Sequence, residues 1–67
     1  MAQRDLRRVQ RAAAKLERSR LELRNAILAA QRSGESIRDI APFAGVSASR
    51  VHEMLREAQR AERDEAG

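Results

Sequence analysis

Cysteine, tryptophan and tyrosine are absent from this chain, and its 67 residues include one phenylalanine, one proline and one histidine. Without thiols, disulfides and thiolate metal sites are excluded. A single aromatic, Phe43, leaves a core of Leu, Ile, Val and Ala, which suits close-packed helices better than a sandwich or barrel. No apolar run approaches the roughly 20 residues that a bilayer-spanning helix requires. His52 has no second His, no Cys and no clustered acids to work with, so it makes neither a metal site nor a catalytic dyad. The ten acids are scattered among arginines along helix surfaces, and no glycine-rich phosphate loop is present. Neither enzymatic activity nor a cofactor is expected.

Arginine and alanine are what the chain has in abundance, thirteen of each, with a single lysine. The net charge of +4 is unevenly spread. Residues 1–34 hold nine basic and three acidic side chains, a balance of +6, whereas residues 35–67 hold five basic and seven acidic, a balance of −2.

From Gln3 to Arg32 nothing interrupts a helix, and Ser33-Gly34 supplies a stop. Such a helix is about 45 Å long. Leu6, Val9, Ala13, Leu16, Leu23 and Ile27 recur on it at three- and four-residue steps, interrupted by Arg20, with Leu21 and Leu28 widening the apolar surface. Leu6, Val9, Ala13 and Leu16 project beyond what a compact C-terminal half can shelter, which predicts a homodimer seam. Arg4, Arg8, Arg11, Lys15 and Arg18 form another line, with no acid on it until Glu22. Like charges at these spacings repel, so the line is either a solvated face or a phosphate-contacting stripe. The apolar side has no Trp or Phe, which argues against a membrane-surface helix.

The segment Glu35–Arg56, ESIRDIAPFAGVSASRVHEMLR, has the pattern of two short amphipathic helices joined at Gly45. Ile37, Ile40, Ala41 and Ala44 form one inward face, and Val46, Val51, Met54 and Leu55 form the other. Ser36 is placed as an N-cap with Asp39 three residues on, and Ser47 caps the next helix with Val46 and Val51 as a hydrophobic staple. Pro42 falls where a helix wants a backbone donor, so the first helix of the pair is expected to be bent or shortened there. This pattern resembles the helix-turn-helix of phage repressors, of the sigma-factor domain that reads the minus-35 element, and of serine-recombinase DNA-binding domains. The resemblance implies that the helix from about Ala48 enters the major groove.

On that helix Val51, Met54, Leu55 and Ala58 point inward. Ser47, Ala48 and Ser49 are short enough to let the backbone approach phosphates. Ser49, His52 and Glu53 are candidates for base edges, Arg56 for guanine or phosphate, and Arg50 for the backbone. Arg60 and Asp64 are expected to form an i,i+4 pair. The tail from Glu62 is expected to fray.

The expected architecture is an all-α, three-helix single domain. Residues 1–20 form a projecting arm, 21–60 a core containing the helix-turn-helix 36–56, and 62–67 a frayed acidic tail. The expected work is sequence-specific double-stranded DNA binding by a homodimeric regulator, cytoplasmic and nucleoid-associated. The rival expectation is an adaptor that docks another protein through its long first helix, without reading DNA. The acidic balance of the second half favours the rival, and the turn spacing and basic stripe favour DNA. A lesser variant is a nonspecific coat held by the N-terminal arginines.

Overall fold

Three helices make up nearly all of the structure: α1 (Gln3–Arg32), α2 (Ile37–Ala44) and α3 (Ala48–Ala66). This computed structural model describes residues 3–66, and no strand occurs among them. The all-α expectation and the extent of the long first helix both hold. The molecule measures 49 × 33 × 17 Å, elongated because α1 outruns the other two helices.

The joints follow from two glycines. Gly34 adopts φ 104° and Gly45 φ 73°, a region open to glycine because it has no Cβ. At the first joint Glu35 N–H donates to Ala30 C=O at 3.0 Å and Gly34 N–H to Gln31 C=O at 2.9 Å. At the second, Val46 N–H donates to Ala41 C=O and Gly45 N–H to Pro42 C=O, both at 3.3 Å. Both joints therefore close with the Schellman pairing, which satisfies carbonyls that a helix end leaves free.

The next helix in each case starts on a serine. Ser36 Oγ accepts from Asp39 N–H and Ser47 Oγ from Arg50 N–H, each at 3.1 Å. Such caps are worth about 1 kcal/mol each. The return bond from the Asp39 carboxylate to Ser36 N–H does not form among the described residues, so only half of the capping box is made.

Pro42 does not shorten α2 as one form of the expectation had it. It lies inside α2, and the helix runs on past it to Ala44. The ring removes one donor, which would have gone to the carbonyl of Arg38. Both residues are exposed, so water can solvate that carbonyl. Three residues on, the Gly45 joint ends the helix.

The core is small and entirely apolar. Ile27 and Leu28 from α1, Ile40 and Ala41 from α2, and Val51, Met54, Leu55 and Ala58 from α3 are buried. Leu23, Ala30, Ile37, Ala44 and Val46 pack around them, half-buried. No polar or charged residue is buried among the described residues. Every core member of α1 lies in its C-terminal half.

At the C-terminus α3 is helical through Asp64 and Glu65 to Ala66, with Glu62 2.7 Å from Arg32 of α1, and Gly67 lies outside the described residues. One expectation there changes. The Arg60–Asp64 pair does not form among the described residues. An exposed i,i+4 pair gains only a few tenths of a kcal/mol, little against hydration of both groups.

Candidate nucleic-acid interface

Helix α3 has two faces because its buried residues return every three or four positions. With Val51, Met54, Leu55 and Ala58 turned inward, Ser49, His52, Glu53 and Arg56 are all exposed. The structure thus gathers four of the six candidate reading residues on one outward face at the N-terminal end of α3. Ser47 sits at the cap, and its hydroxyl is engaged by Arg50 N–H. Arg50 is half-buried at the flank, and its guanidinium donates to Glu53 Oε2 at 3.0 Å.

That ion pair changes the chemistry of the face. Glu53, a candidate acceptor for a cytosine amino group, is held by Arg50 and would have to exchange one partner for another. Arg56, one turn further on, forms no ion pair among the described residues. Its five N–H donors are free for a planar acceptor such as the guanine edge or a phosphate. At the C-terminal end of α2 the Gly45 joint satisfies the carbonyls of Ala41 and Pro42.

The second candidate element is the arm. Every residue from 3 to 19 is exposed, so Arg4, Arg8, Arg11, Lys15 and Arg18 are all accessible along α1. Arg7, which the sequence pattern leaves out, lies with Arg4 and Arg11 on one shallow patch. Its i,i+3 and i,i+4 spacing to those two was the available signal. Leu6, Val9 and Leu16 are 70%, 65% and 71% exposed, and Ala13 between them is also exposed. Among the described residues nothing else covers this line.

Arg20 marks where the arm ends. Its guanidinium donates to Glu17 at 2.9 Å and, across to α3, to Glu57 at 2.7 Å. Arg24 stands 3.8 Å from the same Glu57 carboxylate, and its Nε is buried without a partner. The residue that interrupts the apolar line in sequence therefore clasps α1 to α3. The hydrogen bond from Arg20 holds the Glu17 carboxyl below its ordinary value, and Arg32 does the same to Glu62. The Arg20 and Arg32 guanidinium groups are pushed up in turn by their acids.

Phe43 is the residue whose position the sequence concealed. It is 96% exposed and stands beside a shallow groove of about 460 Å³ between α1 and α2, walled by Leu23, Ile27, Ala30, Ile40 and Ala44. Helical phase leaves Phe43 off the inward face of Ile37, Ile40, Ala41 and Ala44, but spacing alone did not place it beside a groove. Among the described residues there is no group of His, Cys, Asp and Glu that could hold a metal ion, and no helix is long and apolar enough to cross a membrane. Comparison with protein-family models, curated proteins and solved structures gives no match to this chain.

Proposed function

We propose that this protein binds double-stranded DNA sequence-specifically, as a homodimeric helix-turn-helix regulator of transcription or another DNA transaction. The observation that carries the reading is the outward face of α3. A glycine turn and a capped helix start hold Ser49, His52, Glu53 and Arg56 together on a surface that the core does not use. A protruding helix end of that kind fits the major groove, and short residues at its start let phosphates approach the free N–H groups. The arm supplies exposed cations for the backbone, which give affinity without sequence preference. Its uncovered apolar line supplies the dimer, and two-fold symmetry matches palindromic half-sites. No catalytic role is assigned, and a cytoplasmic, nucleoid-associated location follows from the DNA reading.

The test is a gel-shift selection from random duplex pools at two salt concentrations, beside sedimentation of the free protein. Enrichment of one motif, with affinity that falls as salt rises, is the expected result. Absence of duplex binding at low salt overturns the proposal.

A second reading is favoured by one specific feature. Phe43, exposed beside an apolar groove, is the kind of anchor a protein partner uses. An adaptor would keep the fold, bind through Phe43 or the arm, and ignore DNA. Loss of partner binding on Phe43→Ala, with no duplex binding by either protein, would establish it.

A further inference from the structure

We propose that two copies of this chain pair antiparallel through residues 3–19 of α1, about a two-fold axis at the level of Arg11. The proposal rests on the dimeric part of the functional reading and fixes its orientation. It does not depend on DNA readout.

Leu6, Val9, Ala13, Leu16 and Arg20 follow one another at steps of three and four residues, the spacing of a two-helix seam. In a parallel pair each of these positions meets its own twin. Ala13 would then face Ala13, leaving a gap between larger neighbours. Arg20 would face Arg20, two guanidinium groups abutting at the end of the seam while both are held by Glu17 and Glu57. Helices α2 and α3 pack on the same end of α1, so a parallel pair would also crowd both three-helix heads together.

Turning one copy end for end removes all three conflicts. Leu6 meets Leu16 of the second copy, and Val9 meets Ala13, large against small, with the same two layers repeated across the axis. Arg20 falls beyond the last apolar layer, and the two Arg20 clasps stand about 27 Å apart along the seam. The heads lie at opposite ends.

Charge placement agrees. The positions flanking the seam are Gln3, Asp5, Gln10, Ala12, Glu17 and Ser19. In the antiparallel register Asp5 shares a flank with Ser19 of the second copy and Gln3 shares one with Glu17; Glu17 stands at the height of Asp5 but on the opposite flank, so no like charges face each other. The basic residues Arg4, Arg7, Arg8, Arg11, Lys15 and Arg18 all fall away from the flanks. Pairing leaves that cationic face open.

The chain has no cysteine, which makes the test direct. Leu6→Cys and Leu16→Cys proteins, one of them isotopically labelled, are mixed and mildly oxidised, and the linked species are weighed. The arm touches nothing in the core, so both variants should keep the helical circular dichroism of the parent. The expected product is the mixed disulfide between Cys at 6 and Cys at 16, with sedimentation showing a dimer that Leu16→Glu dissociates. Same-position disulfides in place of the mixed one would establish a parallel pair and overturn the proposal. A dimer by sedimentation with neither product would place the interface elsewhere, and a monomer at high micromolar concentration would remove the dimer. Both results overturn the proposal too. Duplex binding is read separately by gel shift, so a failed DNA reading leaves a distinct signature.

Discussion

Ile27 and Leu16 share one helix and one apolar line, yet Ile27 is 3% exposed and Leu16 71%. The contrast divides α1 at Arg20. C-terminal to it, the helix is one wall of a three-helix core; N-terminal to it, a more basic stretch with sparser large apolar residues stands uncovered. No Gly or Pro interrupts either side, so the difference lies in what each side has to pack with rather than in helix propensity. The two parts are also suited to different tasks. The packed part fixes the orientation of α3, and the bare part has apolar and cationic surface to give to something outside the chain.

The sharpest way to test this division is to truncate one residue on each side. Ile27→Ala should cost about 2–5 kcal/mol, because it removes buried methyl groups and leaves a cavity. In a domain this small that is enough to unfold much of the population. Leu16→Ala should stay within about 0.5 kcal/mol for the monomer. Urea unfolding followed by circular dichroism at low protein concentration measures both. Equal losses would mean that the arm contributes to the core after all.

The next comparison sets the arm against the outward face of α3. Arg56→Ala is expected to cost about 1–3 kcal/mol at the preferred duplex and to relax sequence preference. Arg4→Ala, Arg8→Ala and Arg11→Ala should weaken all duplexes alike and flatten the salt dependence, by roughly one counterion per lost phosphate contact. Titrations of a selected and a scrambled duplex at several salt concentrations separate these. Identical, sequence-blind losses from both groups would reduce the protein to a nonspecific coat.

Two smaller effects concern the joints between the parts. Pro42→Ala should stabilise the fold by about 1 kcal/mol, since it restores a helical donor and relieves the ring but gives back unfolded-chain entropy. Thermal unfolding measures the gain, and a loss would mean that the ring is needed in α2. The smallest effect is acid sensitivity of two ion pairs, Glu17–Arg20 within α1 and Arg32–Glu62 between α1 and α3. Glu17 and Glu62 have folded-state values below the ordinary 4.5. Their contribution is therefore complete above pH 4.5 and disappears as pH falls through the lower, folded-state values. Because these pairs are largely solvent-exposed, the acid loss should be modest. It should shrink further in Glu62→Gln, as followed by unfolding midpoints between pH 5 and 3.

Much of the fold was legible because periodicity and punctuation agree. The apolar steps of α1, the two glycines and the two serine caps set the bounds of α1 and α2 and the start of α3. The inward faces of α2 and α3 followed from the same spacing. What was hidden depends on partners distant in sequence. Arg20 read as a flaw in a stripe because Glu57 is far along the chain, and the Arg32–Glu62 pair was hidden for the same reason. Pro42 carries a penalty in any local rule, yet only one exposed carbonyl bears it here. At the candidate site, the outward set Ser49, His52, Glu53 and Arg56 was readable from helical phase, whereas the Arg50–Glu53 pair depends on side-chain conformations that spacing does not specify. Phe43 shows the limit most plainly, since hydrophobicity predicts burial only where there is something to be buried against.

The clasp at Arg20 has a kinetic side as well. A helix without tertiary contacts opens readily from its free end, and unwinding that starts at Gln3 meets no contact with another helix until it reaches the Arg20–Glu57 pair. In the monomer, amide protons in the first half of α1 should therefore exchange with solvent at rates set by local fraying. Those beyond Arg20 should wait for the core to open. One continuous helix would then carry two exchange regimes with a boundary only a few residues wide. Because fraying of the first half need not disturb the second, that half can lengthen, shorten or melt without altering the angle at which α3 is presented.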